Sequence, residues 1–210
     1  VTYKTSKWGN FCKQEGWNWG FKLNLIEVIS EGESELIVNK SKFFGYSVIA
    51  QTKNFFLERV QNIKKIHSSA SHIVFAFQVK KNTIEPHFSD DGEPSGTAGK
   101  PLLNILESRQ IINSGIVVVR YYGGINLGTG GLARAYSQAG VLSLASSKLI
   151  KYIELFKYKL IFKYNMLKII TNVIYKENGI ILERNFNLDI TVISKITVTT
   201  KDFIVKKYPA

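Results

Sequence analysis

Cysteine is almost absent from this 210-residue chain: Cys12 stands alone, so no internal disulfide can form, as expected of a reducing compartment. No histidine lies within fifty residues of Cys12 in sequence, which makes it a poor candidate nucleophile. No run of eighteen apolar residues exists, which excludes a bilayer-spanning helix. The first residues carry Lys4 and Lys7 but no continuous apolar segment before a small-residue cleavage site, which argues against a secretory signal. The expected location is the cytoplasm, with no membrane partner. Proline is scarce too, at four residues, and acidic residues are outnumbered by basic ones, 16 to 28, for a net charge of +12. Residues 28–150 hold 13 basic against 9 acidic side chains, and residues 155–210 hold 10 against 4. The C-terminal quarter is the more basic for its length, as an RNA- or ribosome-facing surface would be. Enrichment in Lys, Ile and Asn together also follows from coding bias, so charge permits a polyanionic partner without identifying one.

What is present is a soluble composition, 45% apolar and 21% charged, long enough for one large domain or two small ones. Residues 1–26 contain all three tryptophans (Trp8, Trp17, Trp19) without helical or alternating periodicity and form a leader outside the main fold. From Glu35, LIVNKSKFFGYSVIA alternates around Asn39 and Gly45, giving two strands or one bent strand. Asn54 can cap a helix that places Phe56, Val60 and Ile63 on one face. HIVFAFQV (72–79) is a strand with apolar residues on both sides, 81–99 a long loop, and Pro101 the first turn of a helix to about Ile112. IVVV (116–119) is a buried strand, and Leu132, Tyr136, Ala139 and Leu142 recur at helical spacing. Near Lys151 the texture changes. FKYKLIFKY alternates strictly, NMLKIITNVIYKENG is a helix stopped near Gly179, and ILERNFNLDITVISKITVTT gives two strands. That β-α-β-β order is the opening of a ferredoxin-like split unit, and KDFIVKKYPA begins its second helix. The domains expected are thus a leader (1–26), a first domain (27–150) and a ferredoxin-like C-terminal domain (151–210) that stops before its fourth strand.

Two loops concentrate the chemistry. In FSDDGEPSGTAGKP (88–101), Asp90, Asp91 and Glu93 gather near His87. Such carboxylates bind Mg²⁺ or Ca²⁺, or split their pKa values for acid–base work. They equally build a turn, since Asp-Gly supplies a left-handed position and Pro94 stiffens the residues after it. In VVVRYYGGINLGTGGLARAY (117–136), GTGGLA fits the dinucleotide fingerprint literally, but YYGGINL separates its first glycine from the strand, and no Gly-Lys-Ser/Thr ending makes a phosphate loop. What survives is an open helix start: amides at Gly128, Gly130 and Gly131 unobstructed at the positive end of the dipole, with Arg134, Arg120 and Lys100 to add charge. The competing reading is that the glycines serve only positive φ and close packing. His72 and His67 are explained by hydrogen bonding and a helix end, and Ser95 and Thr97 have no visible base. No motif calls for a cofactor.

The two loops together, with KSKFFGY and SHIVFAF upstream, resemble the paired signature of the YigZ/IMPACT family over roughly residues 28 to 210. The resemblance implies an α+β protein with an N-terminal domain similar to domain 2 of ribosomal protein S5. It also implies a ferredoxin-like C-terminal domain similar to domain V of elongation factor G. Eukaryotic members regulate translation by binding the activator of a kinase of initiation factor 2, whereas bacterial members have no settled activity. The expectation is a cytoplasmic binding protein rather than an enzyme, acting on RNA, the ribosome or a translation-regulatory protein through a glycine-rich, anion-binding loop. The rival expectation is a metal-assisted phosphotransferase or hydrolase built on the acidic loop.

Overall fold

A computed structural model describes residues 24–208. Cys12, the three tryptophans and the rest of the expected leader up to residue 23 lie outside the described residues. The described chain divides into two compact units, 24–152 and 153–208. The fold is mixed α/β. Among the described residues no helix is long and apolar enough to cross a membrane.

The larger unit runs β1 (Ile26–Ser30), β2 (Gly32–Val38), β3 (Ser41–Ile49), α1 (Lys53–Ile66), β4 (His72–Lys80), β5 (Ile84–Ser89), α2 (Gly99–Ser108), β6 (Ser114–Tyr121), α3 (Gly128–Ala145) and β7 (Lys148–Lys151). Five strands make one antiparallel sheet in the order β2-β3-β6-β4-β5, while β1 and β7 pair separately. The apolar runs of β4 and β6 follow from their central place. Val74, Ala76, Ile116 and Val118 face α2 and α3, and Ile73, Phe77, Val117 and Val119 join the core beneath α1. Each Val, Ile or Phe among them contributes about 1.5–3 kcal/mol when fully buried. Gly115 lets α1 sit close, because a Cβ there would lie 2.3 Å from the Phe56 ring and 2.8 Å from the Ala76 carbonyl oxygen.

Of the two readings that the sequence allowed for residues 36–50, the structure takes the first, and several other boundaries differ. LIVNKSKFFGYSVIA is two strands, turning at Asn39 and Lys40, which both have positive φ (45° and 65°), the pair of left-handed positions that a two-residue hairpin turn requires. Thr52, not Asn54, caps α1, its hydroxyl accepting from the Phe55 amide at 3.1 Å. The span 81–99 is not all loop, since β5 lies within it. Pro86 is tolerated there because β5 is an edge strand whose outer side needs no donor. The second helix ends at Ser108 rather than Ile112, as Gln110 turns left-handed (φ 55°) and Ile112 bonds the Ile26 carbonyl. Leu142 of α3 is 39% exposed instead of joining the core.

The smaller unit runs β8 (Phe156–Phe162), a 3₁₀ turn (Tyr164–Met166), α4 (Leu167–Lys176), β9 (Ile180–Phe186), β10 (Ile190–Ile196) and α5 (Val198–Lys207). Its three described strands are antiparallel in the order β8-β10-β9. Leu160, Phe162, Ile190, Val192 and Ile196 of the sheet pack with Ile170 and Ile174 of α4 and Ile204 of α5. Thr197 caps α5 by accepting from the Thr200 amide at 3.0 Å, which begins this helix inside a stretch read from sequence as strand.

Candidate anion-binding surface and its buried support

The three carboxylates of the acidic loop diverge. Asp90 reaches forward to the start of α2: one carboxylate oxygen accepts from the amides of Ala98 (3.1 Å) and Gly99 (2.7 Å), the other from Gly96 (2.8 Å). It does the work of the N-cap that Ala98 cannot do with its own side chain. Asp91, at φ 43°, accepts from the first interior amide of β4, that of Ile73, at 2.7 Å, and stands 3.6 Å from the Lys64 ammonium. Its carbonyl oxygen lies 2.9 Å from His72 Nδ1, which places the ring proton on that nitrogen.

Glu93 turns inward. One of its oxygens accepts from Arg120 Nη1 and from the Tyr136 hydroxyl, both at 2.7 Å, and lies 3.9 Å from His72 Nε2. Burial first, and then the bond to Glu93, push the Tyr136 phenol far above its ordinary pKa, so it remains a donor at any ordinary pH. This cluster ties the loop to β6 and α3. Among the described residues no group of three His, Cys, Asp or Glu side chains is arranged to hold a metal ion.

Arg120 therefore does not belong to the anion-binding set expected from its place at a strand end. Its register partner is Phe43, so its side chain shares the core face of the sheet, 6% exposed, with the guanidinium 5.6 Å from the Phe43 ring and 5.3 Å from that of Tyr122. Lys100 has a partner of its own, its ammonium 3.8 Å from Glu107 farther along α2. His87 makes no hydrogen bond or ion pair with the acidic trio. It stacks on Phe77 across β4 and β5 (4.8 Å, 25°), and burial, followed by the charge of Lys53, lowers its pKa.

The glycine-rich loop begins with Gly123 against the β2–β3 turn, where a Cβ would lie 2.1 Å from the Lys40 carbonyl carbon, and the Gly123 amide donates to the Ser41 hydroxyl (3.1 Å). Gly124 and Gly128 have φ of 80° and 69°, conformations open to glycine. Gly128 and Gly130 have nothing within 4 Å of an added Cβ, and Gly131 meets only the Leu127 side chain at 3.1 Å. Close packing thus does not explain Gly130. The first turn of α3 has no side-chain cap, and the amides of 128–130 precede its first intrahelical bond, with no other backbone acceptor among the described residues, whereas the Gly131 amide turns back toward the Leu127 carbonyl. Arg134, one turn on, is exposed and forms no hydrogen bond or ion pair among the described residues. The structure so brings Gly128, Gly130, Gly131 and Arg134 together at one exposed helix start. The backbone of Lys40, overlooked in sequence, lies on the turn that packs against Gly123 of the same loop. Its signal was the Asn-Lys pair between alternating strands.

Among known proteins, the Impact N-terminal domain model matches residues 39–144, a span that contains both loops. The IMPACT family member YvyE of Bacillus subtilis is 43% identical over 116 residues, 55% of this chain and 54% of that protein. The IMPACT family member YigZ of Escherichia coli is 40% identical over 108 residues, 47% and 50% of the two chains. The chain spans about half the length of the curated relatives it matches. A crystal structure of a hypothetical protein, 27% identical, superposes with a TM-score of 0.65 over 87% of this chain and 90% of that one.

Proposed function

Because this chain belongs to the Impact N-terminal domain family, we propose that it is a cytoplasmic, translation-associated regulator that binds RNA, the ribosome or a translation-regulatory protein through the start of α3. The observation that carries this reading is the set of free amides at 128–130, at the start of a helix that no side chain caps, with an unpaired Arg134 one turn on. Backbone donors at a positive dipole end, with a guanidinium one turn away, suit phosphate oxygens. In this reading the buried Glu93–Arg120–Tyr136 cluster holds the loop and α3 in place without touching the ligand. The larger unit is read as similar to domain 2 of ribosomal protein S5. The β8-β10-β9 order, in which first and third strands are neighbours, supports a ferredoxin-like smaller unit.

The acidic-loop hydrolase is not favoured: Asp90, Asp91 and Glu93 are each committed to a different element. The test is co-sedimentation of the full chain with ribosomes in rising salt, for the natural protein, Arg134→Glu and Gly130→Asp. Both variants alter exposed positions, and both are expected to bind more weakly and with a shallower salt dependence. Unchanged binding by both would remove the surface from the proposal.

A further inference from the structure

The sheet of the smaller unit buries one face in the core it shares with α4 and α5, through Leu160, Phe162, Ile190 and Val192. The alternate residues of β8 and β10 occupy the other face. There Lys157, Lys159 and Lys195 are exposed, and Ile161, Thr191 and Ile193 are half-buried. Lys195 stands directly opposite Lys157 in the antiparallel register, and Lys159 lies opposite Ile193 on the same face. Opposed residues of such a pair approach to about 5 Å, and same-face neighbours on one strand lie about 6.7 Å apart. Three ammonium groups thus share a small area, in an arrangement that costs the fold stability, since like charges directly opposite repel.

Protection of a sheet edge accounts for only part of this. Lysines on edge strands deter unwanted pairing, which suits Lys157 and Lys159 on β8. It does not suit Lys195, because β10 is central and paired on both sides. Nor are the charges neutralised: none of the three makes an ion pair or hydrogen bond among the described residues. The carboxylate on this face, Glu183 opposite Ile193, accepts instead from the Asn185 side-chain amide at 2.9 Å.

We propose that this face is a second binding surface, which takes the phosphate backbone of RNA on Lys157, Lys159 and Lys195. Lysine is depleted at protein–protein interfaces, whereas phosphate contacts draw on it. Arginine, whose fork matches a carboxylate in two bonds, is absent from the three cationic positions. The face carries no aromatic side chain among these residues on which a base could stack, so it follows the backbone rather than the sequence. Ribose is favoured over deoxyribose because the Thr191 hydroxyl and the Glu183 carboxylate lie on the same face and can pair with a 2′-hydroxyl. The surface belongs to the smaller unit and stands independently of the loop at 128–134.

The test uses the full chain and a labelled oligouridine, with anisotropy read across a salt series of about 0.05 to 0.3 M. Each lysine that neutralises a phosphate adds about 0.7 to the slope of log affinity against log salt. The triple variant Lys157→Gln, Lys159→Gln, Lys195→Gln is expected to lose about 2 from that slope and to bind at least about tenfold more weakly at low salt. Lys195→Glu alone places a carboxylate across from Lys157, so it is expected to melt no lower than the natural protein while binding RNA less, which separates lost binding from lost folding. Repeating the triple in an Arg134→Glu background is expected to give the same decrement, which separates this surface from the loop. The proposal is overturned if the natural chain does not bind, or if the triple leaves slope and affinity unchanged. Equal competition by polyglutamate would assign the face to an acidic protein instead, and equal binding of oligothymidine would remove the preference for ribose.

Discussion

Glu93 and Arg120 form an ion pair of 2.7 Å with side chains only 3% and 6% exposed, although one lies in a loop and the other in the central strand of the sheet. Tyr136 completes the cluster from α3. Three separate stretches of the larger unit are therefore fixed to one another through a single carboxylate.

Glu93→Ala is expected to destabilise the protein by about 3–5 kcal/mol, because it strands a buried guanidinium. Tyr136→Phe removes one bond to a charged group and is expected to cost about 1.5–3 kcal/mol. Urea unfolding of the single and double variants measures both values. A loss below about 1 kcal/mol for Glu93→Ala would mean that the pair does not hold the loop.

Asp90→Ala is expected to cost about 1–2 kcal/mol and to speed hydrogen exchange at the Gly99 amide, since the helix start loses its acceptor. Asp90→Asn keeps one oxygen and is expected to lose less. Equal protection of Gly99 in Asp90→Ala and the natural protein would contradict the capping role.

One packed glycine and one open glycine should respond in opposite ways. Gly115→Ala forces a methyl group against Phe56 and the Ala76 carbonyl and is expected to cost about 1–3 kcal/mol. Gly130→Ala meets open space within a helix and is expected to gain about 0.5–1 kcal/mol. Thermal melts of the two variants decide the matter.

Stability is expected to fall in mild acid. His67 lies 2.7 Å from the Tyr46 hydroxyl and 2.9 Å from the Tyr121 hydroxyl, and burial lowers its pKa against the opposing charge of Glu33. His87 is lowered as well, by burial and then by Lys53. With folded values below the unfolded value of about 6.5, the unfolded chain takes up protons first, so stability is full above that pH and declines as pH falls through it. Urea unfolding at about pH 7.5 and 5.5 is expected to show a smaller pH dependence in the double variant His67→Gln, His87→Gln than in the natural protein. An unchanged dependence would mean that other groups set it.

The sequence disclosed what depends on local pattern and concealed what depends on register. The strands β4 and β6 could be read because both faces are apolar, and α1 because Phe56, Val60 and Ile63 repeat at helical spacing. The edge strand β5 could not, since Pro86 and alternating half-burial resemble a loop. Arg120 reads in the sequence as an anion contact because a strand end says nothing of which face a side chain takes. Only its pairing with Phe43 does. The turn chemistry of SDDGEP was plain, but not that its carboxylates serve α2, β4 and β6 separately. The opposition of Lys157 and Lys195 was likewise hidden until β8 and β10 were paired.

During synthesis, β3 and β4 emerge before the strand that must lie between them. Each pairs with β6, whose residues 114–121 are translated last of the five sheet strands. A nascent chain halted before that point would carry two apolar ribbons with no template, open to aggregation and to chaperone capture. Completion of one eight-residue segment is thus the event that converts the growing polypeptide from an adhesive intermediate into a continuous five-stranded sheet.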